Sequence, residues 1–334
     1  MANKTKSSKR KTEVPGSTVF LFDGTGHGTR LTLDELDQAD TSAPGAFTWV
    51  HLNRMNEKAL QWLRKCGIDL HVFEALTAAE TRPRCTLHED GVLLNLRGIN
   101  INPGEEPEDM IDIRLWIEDS DVISLGWRPL AAVRDLIEAI KAERAPTSPG
   151  DLVSRLALRL ADRIDPTVLE LNEQIDDIEE QVLDDIDEVS RPLLADVRRT
   201  AIVLRRYMFP QRDALSTLEI EDIEWLSLRD RSRIREAAER MMRLGEELDA
   251  IRDRAQVVHD QVMDNRAERM NRQMLVLSVV AALFLPLSLL TGLLGINVGG
   301  MPGLNDHWAF AVVCGILVVM GLFEIWLFRK IGLF

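Results

Sequence analysis

The chain has 334 residues, of which 46% are hydrophobic, and a formal net charge of −14. This acidic balance argues against nucleic acid as a partner. The three cysteines, Cys66, Cys85 and Cys314, lie far apart and do not resemble a disulfide framework or a paired-cysteine zinc site, which fits a reducing cytoplasm.

The first part of the chain mixes strand and helix patterns. Residues 1–16 are polar and basic and predict a disordered tail, whereas residues 17–145 predict a cytoplasmic α/β domain. Strands are predicted from Val19 to Asp23 and from Phe47 to Leu52. The glycine cluster from Gly24 to Gly28 between them predicts a plain turn, because no Lys-Ser or Lys-Thr follows it as a phosphate-binding loop would require.

The second half of this domain predicts two strand pairs and a helix. Leu87 to Arg97 has the pattern of a hairpin that turns at Glu89-Asp90-Gly91. Asp112 to Ile117 and Asp121 to Leu125 predict a further pair of strands. Leu130 to Arg144 is amphipathic and predicts a helix, which Ala145-Pro146 ends.

Residues 151–228 predict an acidic helical hairpin. From Asp165 to Ser190 there are eleven Asp or Glu residues and no Lys or Arg. The acidic face is compatible with a cation site, but a solvated charged face is the favoured interpretation, since spacing alone does not show oxygens that converge. Pro210 is expected to kink or break the return helix, predicted from about Ser190 to Ser216. Apolar residues at three-to-four spacing predict one buried seam: Leu171, Ile175, Ile178, Val182 and Val189.

A long helix and two apolar spans are predicted to follow. Residues 229–273 predict a stalk helix, and residues 274–294 carry no charge and are long enough to cross a hydrocarbon core of ~30 Å at ~1.5 Å per residue. Residues 308–328 predict a second span, after an external loop at 295–307. Residues 329–334 predict a short cytoplasmic tail.

Charges that flank the spans predict their orientation. Arg266, Arg269 and Arg272 precede the first span, and Arg329 and Lys330 follow the second, whereas the loop between the spans contains no Lys or Arg. By the positive-inside rule both termini are predicted to be cytoplasmic. The chain is therefore predicted to be a multi-pass protein of the inner (plasma) membrane whose spans contact lipid.

One face of the long helix is a candidate pore lining. A helix of this length cannot bury its apolar positions alone, and symmetric self-association would supply the partners. Helical steps along the chain then predict a mostly apolar stripe that is acidic at its inner end. Its principal residues are Ser288, Leu285, Ala281, Leu277, Met274 and Asp260.

The tripeptide after the first span carries a family resemblance. Gly295-Ile296-Asn297, behind a very long helix and before a second span, resembles the Gly-Met-Asn signature of the CorA superfamily of divalent-cation channels. Ile296 departs from Met as is usual in its zinc-transporting ZntB branch. Three further stretches are similar to that branch: Glu80 to Arg84, Arg205 to Asp213, and Phe284 to Gly300.

The resemblance implies a fold and a function. It implies an α+β cytoplasmic domain, a long stalk helix and two C-terminal transmembrane helices in a pentameric funnel. It also implies transport of Zn²⁺ as the cargo, with no resident cofactor, and leaves the direction and assistance by a proton gradient open. A Mg²⁺, Co²⁺ or Ni²⁺ channel is the alternative within the superfamily, and a non-conducting coiled-coil scaffold in the membrane is an alternative of another class.

Roles for individual residues follow from the same resemblance. A ring of Asn297 carboxamides would bind the hydration water of the cation at the external entrance, weakly enough to release it. Ser288 would present a hydroxyl to the pore, and Leu277 with Met274 would form an apolar gate. Asp306 and His307 could concentrate or bind the metal at the mouth. The sequence disfavours an enzyme, because no nucleophile-base pair or metal-ligand triad has a convincing spacing.

Overall fold

A computed structural model describes residues 17–36, 38–39, 41, 43–88, 91–186, 189–296 and 307–331. The predicted basic tail at residues 1–16 lies outside these residues. The chain divides into a first unit that extends to His259 and a second that begins at Asp260.

The described part of the first unit contains seven strands: β1 (Thr18–Phe22), β2 (Gly28–Leu31), β3 (Phe47–Asn53), β4 (Arg84–His88), β5 (Gly91–Gly98), β6 (Ile111–Ile117) and β7 (Asp121–Gly126). They form one sheet in the order β2-β1-β3-β7-β6-β5-β4. Strands β3 and β7 run parallel, and all other neighbours are antiparallel. The predicted hairpin is confirmed as β4 and β5, and the predicted strand pair as β6 and β7.

The glycine cluster forms the turn between β1 and β2, as predicted. One carboxylate oxygen of Asp23 accepts hydrogen bonds from the backbone N–H groups of Thr25 (2.8 Å) and His27 (3.2 Å). Gly24 has φ +75°, and a Cβ at this position would lie 2.6 Å from the carbonyl oxygen of Gly45. Both the left-handed backbone and the close approach require glycine there.

Three short helices cover one face of the sheet: α1 (Leu33–Leu36), α2 (Glu57–Lys65) and α3 (Leu70–Thr77). The α2 helix begins where the Asn56 side chain accepts a hydrogen bond from the Lys58 backbone N–H. The buried core between these helices and the sheet includes Val50, Leu52, Leu63, Leu76, Ile123 and Leu125.

Three longer helices contribute the second layer: α4 (Ala131–Lys141), α5 (Pro149–Asp185) and α6 (Arg191–Ile220). Helices α5 and α6 contact β5, and α4 packs against α5. The predicted apolar seam of α5 is confirmed at Leu171, Ile175 and Ile178, which are buried, while Val182 is only half-buried near the end of the helix.

Of the kink or break expected at Pro210, the break does not occur, because α6 continues through this residue to Ile220. Proline removes one backbone hydrogen bond and costs ~3 kcal/mol in a helix interior. Here one side of the turn packs in the core, where Met208 and Gln211 are 0% exposed, while Phe209 and Pro210 are half-buried. Tertiary packing of this turn outweighs the local cost.

Helix α7 (Leu228–Leu294) has 67 residues and includes both the predicted stalk and the predicted first span. In its first-unit part, buried residues recur every seven positions, at Ile234, Met241, Leu248 and Ala255, and again at Ala237, Leu244, Ile251 and Val258. This is the spacing of a coiled-coil seam. Helix α8 (Ala309–Ile331) lies in the second unit.

Candidate ion-conduction site

In the part of the chain that the structure describes, two helices are long and apolar enough to cross a membrane, the C-terminal part of α7 and the segment Ala309–Lys330 of α8. Trp326 lies near the end of α8 with the ammonium of Lys330 5.1 Å from its ring centroid. This pairing suits a membrane interface, where an indole and a cation both reach the headgroups.

The end of α7 is closed by backbone and side-chain hydrogen bonds. The Gly295 N–H donates to the carbonyl oxygens of Thr291 (2.8 Å) and Gly292 (3.2 Å). The Thr291 hydroxyl donates to the carbonyl oxygens of Leu287 (3.0 Å) and Ser288 (3.1 Å). These bonds satisfy groups that a membrane cannot hydrate.

Gly295 does not leave the helix through the left-handed conformation that glycine readily adopts at helix ends. Its φ lies outside that region, and a Cβ there would be 3.1 Å from the carbonyl oxygen of Thr291. The constraint is therefore close contact with the preceding turn. Ile296 is half exposed, whereas Asn297 and Asp306 lie outside the described residues. His307 is exposed at the start of the segment that leads into α8.

The predicted stripe occupies an exposed face of α7. Met274, Leu277 and Leu285 are 53%, 70% and 68% exposed, and Asp260, Ala281 and Ser288 are exposed as well. Half-buried positions recur at residues 279, 283, 286, 287 and 290. Residues two apart on a helix point about 200° apart at 3.6 residues per turn. The stripe thus lies roughly opposite the half-buried face.

This arrangement defines what the stripe can do chemically. Between Met274 and Leu294 the helix carries no ionised side chain, and Ser288 supplies a hydroxyl on an otherwise apolar face. Such a face can line a narrow pathway that opens or closes by wetting, provided that other helices complete the wall.

Glu324 is the one acidic residue in the described part of α8. One of its carboxylate oxygens is buried and has no hydrogen-bond partner among the described residues. An unpaired carboxylate in a span is costly, so this residue is a candidate for function.

The acidic face of α5 is partly neutralised by α7. The Arg254 guanidinium forms ion pairs with Asp176 and, at 2.6 Å, with Glu179. These contacts raise the pKa of Arg254, with the hydrogen bond to Glu179 as the largest cause. Part of the face is therefore an interhelical contact rather than a free cation site.

Cys85 and His88, a cysteine and a histidine that are close in the chain, do not converge on one metal position. The residues are three apart on β4, and side chains at odd separation point to opposite faces of a strand. Burial raises the pKa of the Cys85 thiol to about 12, and His88 lies 3.3 Å from a carboxylate oxygen of Asp69. Among the described residues, no group of three or more His, Cys, Asp or Glu side chains is placed to hold a metal ion.

Two of the stretches that carry the resemblance have a structural task. The connector that contains Thr81 is held through its carbonyl oxygens by three arginines. Arg54 donates to Ala78 (2.9 Å), Arg114 donates to Leu76 (2.9 Å) and Ala78 (2.6 Å), and Arg97 donates to Thr81 (2.9 Å).

The second stretch contains Gln211, which sequence reasoning did not single out individually. Its side-chain oxygen accepts a 2.6 Å hydrogen bond from the Arg97 backbone N–H, and its amide lies 3.5 Å from the Met241 sulfur. Gln211 therefore joins α6 to β5 and α7. The local sequence, with Pro210 before Gln211 and Arg212 after it, gave no signal for this role, because its partners are 114 and 30 residues away.

The comparison with known families decides the identity of the fold. A family model described as CorA-like Mg²⁺ transporter protein matches residues 44–330. The chain belongs to this family. The family membership predicted from Gly295-Ile296-Asn297 and the two spans is therefore confirmed. The prediction that the chain is not an enzyme is confirmed as well, because the CorA-like family is one of transporters.

Relatives within the CorA-like family cover nearly the whole chain. The divalent cation transporter CmaX of Pseudomonas aeruginosa is 37% identical over 315 residues, which are 93% of this chain and 95% of that protein. The zinc transport protein ZntB of Yersinia enterocolitica is 32% identical over 308 residues, or 92% of each chain.

Solved structures agree with the CorA-like fold. The structure of full-length CmaX aligns with a TM-score of 0.83 at 36% identity, covering 94% of this chain and 96% of that one. The CorA magnesium transporter from Methanocaldococcus jannaschii aligns with a TM-score of 0.78 at 17% identity, covering 94% and 98%, a likeness that concerns the fold alone.

Proposed function

We propose that this protein is a divalent-cation transporter of the membrane whose cargo is Zn²⁺, and that it acts as a homo-oligomer with a pore lined by the α7 stripe. Membership of the CorA-like family supports the transport of a divalent cation. The relatives named zinc transport protein ZntB, 31–35% identical, support zinc.

The observation that carries the proposal is the exposed, uncharged stripe from Met274 to Ser288. A single chain leaves this face uncovered, whereas copies arranged around one axis would turn it into a shared wall. We propose five copies, the number implied by the resemblance to the superfamily.

The proposed residue roles follow the length of α7. Asn297 binds the hydration water of the ion at the external mouth, next to Ile296 and Gly295. Leu285 and Ala281 line the wall below Ser288, and Leu277 with Met274 form the constriction. Asp260 marks the inner end, and Asp306 with His307 concentrate cations outside.

The membrane potential supplies a driving force in this arrangement. With both termini in the cytoplasm, an inside-negative potential favours entry of a divalent ion by ~4.6 kcal/mol per 100 mV, from ~2.3 per charge. Zn²⁺ entry then requires no nucleotide hydrolysis.

Flux measurements on reconstituted protein test the proposal. Proteoliposomes that contain a fluorescent zinc indicator should show Zn²⁺ entry, which imposed voltage and pH gradients would resolve into direction and proton dependence. Asn297→Ala should lower the flux strongly, while His27→Ala, in a turn of the first unit, serves as control. Liposomes without Zn²⁺ movement in either direction would overturn the proposal and favour a non-conducting scaffold.

A Mg²⁺, Co²⁺ or Ni²⁺ transporter is the second candidate. The family description names Mg²⁺, and CmaX is named a divalent cation transporter without a specified ion. Competition by Mg²⁺, Co²⁺ and Ni²⁺ against Zn²⁺ entry in the same liposomes distinguishes the candidates. If one of these ions is the preferred cargo, it should block Zn²⁺ entry at a lower concentration than the other two. Ile296→Met is the informative substitution for selectivity.

A further inference from the structure

The first unit contains a pocket that the proposed transport function does not use. It lies where the β5–β6 connector and the residues after β7 face α6, and it encloses about 590 Å³. Its wall contains two aromatic side chains, Trp127 and Tyr207, and four arginines: Arg97, Arg128, Arg199 and Arg206.

Two of the four arginines are neutralised by neighbouring carboxylates. Arg199 lies 2.7 Å from Glu108, and Arg128 lies 2.7 Å from Glu105. Arg128 also stacks on Trp127, with its guanidinium carbon 4.1 Å from the ring centroid. These pairs stabilise one side of the pocket.

The other two arginines meet at one aromatic ring. The guanidinium carbons of Arg97 and Arg206 lie 4.5 Å and 4.8 Å from the centroid of Tyr207. Arg206 also donates a 2.8 Å hydrogen bond to the Tyr207 hydroxyl. Among the described residues, neither guanidinium has a carboxylate within ion-pair distance.

Arg97 is held in place by neutral groups. It donates to the carbonyl oxygens of Met110 (3.0 Å) and Thr81 (2.9 Å), and its Nε is buried without an acceptor among the described residues. Carbonyl oxygens orient a guanidinium but do not cancel its charge. Arg97 and Arg206 thus place two positive charges beside one ring, and the buried Nε–H of Arg97 has no acceptor in the part of the chain that the structure describes. An anion that accepts hydrogen bonds from both guanidinium groups would stabilise this arrangement best.

We propose that this pocket binds a small soluble oxyanion, a phosphate or carboxylate group, between Arg97 and Arg206. Planar guanidinium groups match such groups bidentately. Glu106 and Asp109 also line the pocket and form no ion pair among the described residues. Their negative charge disfavours a highly charged polyanion, so the ligand is compact and carries a single oxyanion group.

Calorimetric titration of the full-length protein in detergent with inorganic phosphate tests this site. Arg206→Gln should weaken phosphate binding about tenfold, the equivalent of ~1.4 kcal/mol. Arg64→Gln is the matched control, because Arg64 is also an exposed arginine on an aromatic ring, 5.2 Å from the Phe73 centroid, with no carboxylate partner among the described residues. It should bind phosphate like the wild type.

Three outcomes would overturn the proposal. The wild type could fail to bind phosphate, Arg64→Gln could weaken binding as much as Arg206→Gln, or short-chain phosphatidic acid could bind where inorganic phosphate does not, which would indicate a lipid headgroup. Glu106→Gln removes a repulsive charge and should tighten binding. Thermal unfolding of each variant verifies that the fold is intact, and none of these titrations depends on Zn²⁺ flux.

Discussion

Replacing Arg114 by methionine should destabilise the first unit by about 3 kcal/mol. The Arg114 side chain is 1% exposed and lies 2.7 Å from Asp112, whose side chain is 7% exposed. Removal of one partner from a buried ion pair costs ~3–5 kcal/mol, because the remaining charge is left uncompensated. We expect the lower end, since Arg54 remains 3.8 Å from Asp112.

The measurement is thermal unfolding of the full-length protein in detergent. At ~2–4 °C per kcal/mol for a unit of this size, Arg114→Met should lower Tm by roughly 10 °C. The double variant Asp112→Leu with Arg114→Met removes both charges and should recover part of the loss. A decrease in Tm of less than about 2 °C for Arg114→Met would refute the reasoning. A double variant that lost as much stability as the two single substitutions added together would refute it as well.

Three further predictions concern other parts of the chain. Burial lowers the pKa of the partly accessible His51 from 6.5 to about 4, so the fold disfavours the protonated imidazole. The free energy of unfolding should therefore fall by up to ~3 kcal/mol as the pH drops from 6.5 to 4. Denaturant titrations of His51→Asn should show a weaker pH dependence. Gln211→Leu leaves the Arg97 backbone N–H without its 2.6 Å partner and should cost ~1–3 kcal/mol, whereas Thr217→Val on the same helix should cost less. Leu277→Ser should increase Zn²⁺ leak through the proposed constriction. Val276→Ser is the control, because Val276 is the neighbouring exposed residue and lies outside the stripe. Equal leak from both variants would contradict the assignment of the stripe as the pore lining.

Local signals were sufficient for much of the fold. Alternating strands and turn residues predicted the β4–β5 hairpin and the β6–β7 pair, because both rely on neighbours in sequence. The two spans could equally be predicted, since length and high hydropathy are properties of one segment. The short tripeptide after the first span was informative only through its position.

Long-range contacts decided what local patterns could not. The sequence by itself determined the spans, the hairpins and the apolar seam of α5, each of which depends on residues a few positions apart. Only the tertiary structure decided that α6 runs through Pro210, that Arg54, Arg97 and Arg114 hold the connector around Thr81, and that two arginines share the Tyr207 ring. The physical reason is that these features depend on groups that lie far apart in the chain and meet only when the sheet and helices have packed.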